Sequence, residues 1–434
     1  MSIGGFSLEQ WAELNDPAND LPMFNRAIQG EYAPGSTFKL FTAHAAWHDG
    51  VFGVGAIPRA DELWDDPGAY ILRGCGDVDP RDPPPGCRYI NAGEKPYDDV
   101  DLSRSLTVSS DVYYYRIGES IYVNPDHLDT AIQDAADSYG LGLESGITLP
   151  FEQDGYLPTP ANRRQRHEEN PVAFPEWGWS TGDNVITAIG QGEVLVTPLQ
   201  LANAFATLAN GGVRYAPNVV TRVVARDGSV VREFGPRALS EVDIDPGFRW
   251  RVLDGLSGVT ANEEGTAYEA FNSLAIGGTY FPLVRYPVAG KTGTAQVSGK
   301  ADTSLFAAFG PVEEPTHTVV AVLEEAGFGS RMAAPLVARI LKQVFEGTVP
   351  EAPLAAVRYA RSTALPLCLV WYEWRSGDTL DRLETADPSS AETGGPVLDA
   401  SGTVRVRGIR VDCADLIDEV LAVFEDRGLA EANG

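Results

Sequence analysis

Three short stretches carry side chains that can do chemistry together. The first is Ser36-Thr37-Phe38-Lys39, behind the turn residues Pro34 and Gly35 and ahead of an apolar run to His48 closed by Gly50. This pattern predicts a helix over 37–48 with Ser36 at its start, so Lys39 lies one turn along the same face. A serine hydroxyl attacks a carbonyl once a neighbouring base takes its proton, and a lysine is such a base when its pKa is depressed. The second stretch is Ser109-Ser110-Asp111, at the expected C-terminal end of a helix over 102–110. The third is Lys291-Thr292-Gly293-Thr294, inside a predicted strand over 288–297. Taken alone, Ser-x-x-Lys arises by chance about once in a chain of this length, and a capping serine with a surface lysine is the commoner meaning. The third stretch changes the balance. The chain has five lysines (Lys39, Lys95, Lys291, Lys300 and Lys342), and two of the five stand in these stretches, in order.

Ser-x-x-Lys, Ser-Asp-Asn and Lys-Thr-Gly are the signature of penicillin-binding proteins and class A β-lactamases. Longer matches resemble class B penicillin-binding proteins: Asn25-Arg26-Ala27-Ile28-Gln29-Gly30, Gly190-Gln191-Gly192 leading to Thr197-Pro198-Leu199-Gln200, Lys291 to Gln296, and Phe306-Ala307-Ala308-Phe309-Gly310. Ser109-Ser110-Asp111 followed by Tyr113-Tyr114-Tyr115 is similar to the elongation type, penicillin-binding protein 2, whereas the septal type usually carries asparagine where Asp111 stands. The resemblance covers roughly residues 3–347.

The resemblance implies an α/β (α+β) chain with the transpeptidase and serine β-lactamase-like fold, an antiparallel sheet flanked by helices, followed by a small C-terminal α/β appendage. It implies a peptidoglycan D,D-transpeptidase that releases the terminal D-alanine of a stem peptide, cross-links through a Ser36 acyl-enzyme and binds β-lactams covalently. Lys39 would accept the serine proton, helped by Lys291 nearby and by partial burial, and Ser109 would relay it to the leaving amine. Asp111 would orient Lys39 while pulling it toward its charged form. Lys291, Thr292 and Thr294 would hold the substrate carboxylate, and Gly293 would clear the strand edge for the substrate backbone. The amides of Ser36 and Thr294 would form the oxyanion hole. The implied partner of the full-length protein is a membrane glycosyltransferase of the elongation machinery. Three other readings stay open: a D,D-carboxypeptidase, a β-lactam-binding or regulatory module without turnover, and a non-functional fragment with intact motifs but a collapsed sheet.

Composition sets outer bounds. A formal charge of −28 and a pI near 4.5 exclude a nucleic-acid surface, which needs basic residues. No cofactor or metal motif stands out: His44 and His48 have a zinc-like spacing, yet neither an acidic partner pattern nor a thiolate accompanies them, so packing or surface roles are expected. Cys75 and Cys87 bracket a Pro- and Gly-rich loop that a disulfide could tie; Cys368 and Cys413 form a second candidate pair. No run of 18 apolar residues and no leader-like start occurs, so the chain is expected to lack the membrane anchor and pedestal of its class, and to be extracytoplasmic and membrane-associated only in a full-length form. Ile3-Gly4-Gly5-Phe6-Ser7 stands where the family's first strand hairpin has already passed, so the sheet is expected to lack two strands and to expose an edge.

The expected organisation is a transpeptidase domain over 1–347, a linker over 348–363 and an appendage over 364–434, whose strands are candidates to replace the absent hairpin. Residues 51–100 read as an inserted loop region and 150–183 as a long loop in which Trp177 and Trp179 either pack or line a groove. Helices are expected over 127–139, capped by Asp126, and from the capping box Thr197-Pro198-Leu199-Gln200 to Asn210. A hairpin is expected around Asp227-Gly228, strands over 304–310 and 317–324, and a helix over 333–345.

Overall fold

The computed structural model describes residues 7–14, 16, 21, 23–55, 57–273 and 280–347, together with the strand 367–373. Helices α1 (Leu8–Leu14) and α2 (Arg26–Gln29) lead to a 3-10 turn over Gly35–Phe38 that continues as α3 (Lys39–His48). Ser36 therefore sits in the tight turn, and Lys39 is the first residue of the α-helix rather than a residue of its second turn. The stretch read as a loop region contains four short strands, β1 (Trp64–Asp66), β2 (Ala69–Ile71), β3 (Arg88–Ile90) and β4 (Tyr97–Val100). β1 pairs with β4 and β2 with β3, and a disulfide between Cys75 and Cys87 closes the β2–β3 arm as expected. The second candidate cysteine pair lies outside the described residues, apart from the backbone of Cys368.

The helix predicted over 102–110 stops early. α4 (Leu102–Thr107) is capped by Asp101, and the chain restarts as α5 (Asp111–Val123) capped by Ser110, whose Oγ accepts from Tyr113 N at 3.0 Å. Serines compete for backbone hydrogen bonds, so two in succession break one helix and start the next. α6 (Ala131–Ser138) begins at Thr130, later than the Asp126 start expected. The predicted long loop holds two helices, α7 (Pro160–Glu169) and α8 (Thr181–Thr187). Their capping boxes use Asn162 and Asp183 at the third position, where the usual pattern has glutamate or glutamine. α9 (Pro198–Ala209) starts at the expected Thr197–Gln200 box.

β5 (Val213–Ala216) pairs with β8 (Arg237–Glu241), enclosing the expected hairpin of β6 (Arg222–Val224) and β7 (Val230–Glu233). α10 (Pro246–Ala261) and α11 (Tyr268–Asn272) then lead to β9 (Ala289–Ala295), β10 (Thr303–Gly310), β11 (His317–Leu323) and α12 (Ala333–Glu346). These three strands and β12 (Leu367–Glu373) form one antiparallel sheet in the order β12-β11-β10-β9. β12 pairs with β11 from His317↔Glu373 to Leu323↔Leu367, so a strand of the C-terminal stretch lies along the β11 edge.

Strand alternation divides the core. Leu305, Ala307, Phe309, Val320 and Val322 face the larger apolar cluster with α3, α5 and α9, whereas Phe306, Ala308, Val319 and Ala321 face a second cluster with α12. Both faces of the sheet are thus covered, and β9 is held between α10 and the turn carrying Ser36.

His44, the buried histidine of α3, packs edge-on to Phe248 and bonds Tyr139 Oη through Nδ1 at 2.8 Å, while His48 is exposed. Burial holds the His44 pKa down at about 4, His48 adding to the depression and Asp243 opposing it. An unfolded histidine takes up a proton near pH 6.5, so the folded state is favoured above that pH and loses stability as pH falls from about 6.5 to about 4. Equilibrium urea unfolding at pH 7 and pH 4 is expected to differ through this group by about 3 kcal/mol, and His44→Gln is expected to remove that part of the difference.

Candidate active site

Glycines decide how closely the three stretches approach. Gly35 has φ +52°, and a Cβ on it would stand 2.6 Å from Thr294 O. A Cβ on Gly293 would meet Pro34 O at 2.8 Å, and one on Gly190 would meet Gly35 O at 2.4 Å. The turn carrying Ser36 can therefore lie against β9 only because both elements are bare at the crossing. Gly35 N donates to Gly190 O at 2.8 Å, which ties the turn to the Gly190-Gln191-Gly192 segment.

The two lysines of the motifs end at one hydroxyl. Lys39 is completely buried, and its Nζ donates to Ser109 O at 2.8 Å and Ser109 Oγ at 3.1 Å, and pairs with Asp111 Oδ1 at 2.6 Å. Lys291, equally buried, donates to Ser109 Oγ at 2.7 Å and to Thr292 O at 3.2 Å. Ser109 adopts φ +59°, a left-handed conformation costing a non-glycine residue on the order of 1–3 kcal/mol. Its carbonyl and hydroxyl both serve Lys39 in that conformation, which offsets the strain. Ser36 itself is half-buried on the turn immediately before Lys39.

Electrostatics separate the two amines. Burial lowers the Lys39 pKa, while Asp111, by charge and by hydrogen bond, and Asp66 behind it favour the ammonium. Lys291 is held well below the ordinary lysine value, first by burial and then by the charge of Lys39, with Asp111 opposing. Repulsion between the two amines is mutual; Asp111, in contact with Lys39, offsets it there, so Lys291 is the amine held further down.

The threonines of the third motif are already engaged. Thr292 Oγ1 lies 2.7 Å from Thr266 Oγ1, and Thr294 Oγ1 accepts from Gly329 N at 3.3 Å. Gln191 Nε2 donates to Thr294 O at 2.9 Å. Trp177 is exposed beneath Arg164, and Trp179 lies under Arg163 with the guanidinium carbon 4.8 Å from the ring centre. In the sequence Gln191 stands in a motif without a legible role, and no signal marks Thr266, Asp66 or Asn91. The last two lie in the stretch read as loop, where no periodic signal singles out a residue.

Residues 7–70 and 77–342 match the family described as the penicillin binding protein transpeptidase domain. The peptidoglycan D,D-transpeptidase MrdA of Haemophilus influenzae is 28% identical over 367 residues, 80% of this chain and 50% of its own length. The chain thus spans about half the length of the curated relatives it matches. Penicillin-binding protein 2 of Pseudomonas aeruginosa in complex with WCK 5153 is a structural neighbour with a TM-score of 0.62 and 28% identity, covering 81% of this chain and 70% of its own. A second neighbour, solved under the description of polymerization and crosslinking coordinated by a peptidoglycan synthase complex, has a TM-score of 0.60 and 28% identity, covering 80% of this chain and 51% of its own.

The glycine requirement is testable without any substrate. Gly35→Ala places a methyl group against Thr294 O in a left-handed conformation and is expected to destabilise the fold by about 1–3 kcal/mol in urea titration. Gly50→Ala, also at positive φ but with open space around its Cβ, is expected to cost less, since it carries the conformational part alone.

Proposed function

Because the chain belongs to the penicillin-binding protein transpeptidase family, we propose that it is a peptidoglycan D,D-transpeptidase of the elongation type with Ser36 as nucleophile. The observation that carries this reading is the Ser109 hydroxyl, held at 3.1 Å from Lys39 Nζ and 2.7 Å from Lys291 Nζ beside the turn of Ser36. That arrangement is a proton path with a buried amine at each end.

In the proposed reaction Ser36 Oγ attacks the carbonyl between two terminal D-alanines, and its proton passes to Lys39 in the neutral form. Protonated Lys39 returns a proton through Ser109 to the departing amine, so the peptide bond breaks as the ester forms and D-alanine leaves. An amine from a neighbouring stem peptide then attacks the ester, gives up its proton along the same path and regenerates Ser36. The amides of Ser36 and Thr294 hold the developing oxyanion, a contribution of about 3 kcal/mol per donor. Lys291, Thr292 and Thr294 receive the terminal carboxylate, and Gly293 leaves the outer edge of β9 open to an extended peptide. β-Lactams, which mimic the D-Ala-D-Ala end, acylate Ser36 and remain.

A membrane glycosyltransferase of the elongation machinery is the proposed partner of the full-length protein, supported by the synthase-complex neighbour. An extracytoplasmic location is supported by the Cys75–Cys87 disulfide, and no described helix is long and apolar enough to cross a membrane. The proposed domain division is a catalytic unit over 1–347, a linker over 348–363 and an appendage over 364–434 that lends β12 to the sheet.

Intact mass after incubation with benzylpenicillin tests the reading. One adduct is expected on the unaltered chain and none on Ser36→Ala; a folded chain that takes up no penicillin sinks the proposal. D-Alanine release from a stem-peptide analogue that rises with added acceptor amine marks a transpeptidase, whereas release indifferent to the amine marks a carboxypeptidase. The acylation rate is expected to rise with pH along a limb set by neutral Lys39. Asp111→Asn removes a charge that favours the ammonium, so that limb is expected to move to lower pH.

A further inference from the structure

Asp66, at the end of β1 in the inserted stretch, is a carboxylate only 1% exposed. Its Oδ1 accepts from Gly68 N at 2.7 Å, and its Oδ2 accepts from Asn91 Nδ2 at 2.8 Å and from Ser110 Oγ at 2.5 Å. Asn91, also 1% exposed, uses its whole amide: Oδ1 accepts from the backbone N–H of Asp111 at 2.8 Å and of Val112 at 3.0 Å, and Nδ2 donates to Lys95 O at 2.8 Å besides Asp66. Ser110 Oγ in turn accepts from Tyr113 N. The first three amides of α5 are thus satisfied by side chains that all lead back to Asp66.

One capping side chain usually satisfies one of the four free amides at a helix start. Three satisfied amides exceed what a helix of this length needs to begin, and they fix its first residue in place. That residue is Asp111, whose carboxylate meets Lys39 Nζ at 2.6 Å. The same inserted stretch is fastened lower on the helix, where buried Glu119 accepts from Arg73 N at 2.8 Å, from Arg73 Nε at 2.9 Å and from Tyr70 Oη. The disulfide closes the arm that bears these groups.

We propose that Asp66 and Asn91 are positioning residues for the reaction, holding Asp111 on Lys39 through the first turn of α5. This inference rests on the acylation chemistry proposed above. The groups that face Lys39 are Asp111, Asp66 behind it, Lys291 from β9, the Ser109 hydroxyl and the ring of Tyr114, whose centre is 5.5 Å from Nζ. Of these, Asp111 is the charged group carried on the amides that Asn91 binds, with Tyr114 on the same first turn and Asp66 bound by Asn91 Nδ2 itself. When the turn loosens, Lys39 loses the contact that favours its ammonium.

The test follows the acylation rate constant with benzylpenicillin across pH for the unaltered chain, Asn91→Ala, Asp111→Asn and the double variant. Asn91→Ala is expected to move the rising limb to lower pH, the direction expected of Asp111→Asn, while the plateau above that limb falls about tenfold because Lys39 is less well held. The double variant is expected to show the limb of Asp111→Asn alone, because the network acts through that carboxylate. A folded Asn91→Ala with an unmoved limb, or shifts that add fully in the double variant, would overturn the inference. If Asn91→Ala does not fold, Asn91→Ser keeps one acceptor and is expected to give a smaller shift of the same sign. If the unaltered chain is not acylated at all, the functional reading fails, and the positioning role is still decided by titrating Lys39 through lysine 13Cε resonances. The chain has five lysines, so the signals are few. Asn91→Ala must then lower the Lys39 midpoint, and an unchanged midpoint refutes the role.

Discussion

Two lysine amines buried against one serine hydroxyl are the constraint to which the rest of this structure answers. Withdrawing each from water costs on the order of several kcal/mol, and they repel one another. One carboxylate, that of Asp111, is in contact with the pair, and it sits on Lys39. The second amine is therefore pushed toward neutrality, and the pair becomes an asymmetric donor and acceptor with Ser109 between them. Everything nearby serves to keep that geometry closed: the bare glycines where the turn meets β9, the strained backbone of Ser109, and the two apolar clusters that cover the sheet on either side.

The inserted stretch gains meaning in this light. Its strands are too short to form a core of their own; it lends Val51, Ile57, Leu72 and Val100 to the larger apolar cluster and adds a set of buried polar contacts to α5 at Ser110, Asp111, Val112 and Glu119. A helix held by its apolar face alone could slide or rotate by a fraction of a turn with little loss of buried area. Polar contacts are directional and do not allow that, which makes them suited to fixing a carboxylate within hydrogen-bond reach of an amine.

Much of the fold was legible because the strands and helices of the sheet layers follow apolar periodicity: β10, β11, α9 and α12 fall within one or two residues of where the sequence put them. Ser36, Lys39, Ser109, Asp111 and Lys291 were legible for a different reason, since their types and order constrain chemistry independently of fold. What stayed hidden depends on contacts between distant segments. The break between α4 and α5 arises where Ser110 turns toward Asp66, forty-odd residues away in sequence, and the capping boxes of α7 and α8 use short side chains that also suit turns. Which of the two lysines is driven neutral was hidden as well, because the answer depends on which amine the carboxylate touches.

The place of β12 has a consequence for how the molecule is made. Synthesis delivers β9, β10 and β11 in succession, each able to pair with its predecessor as soon as it emerges. The outer edge of β11 must then wait for a strand that follows α12 and the segment after it. During that interval a largely apolar strand from His317 to Leu323, with three valines, presents unpaired backbone on one side. The nascent chain therefore passes through a stage in which the edge of β11 is unpaired, and the arrival of residues 367–373 covers that edge and makes β12 the border of the sheet.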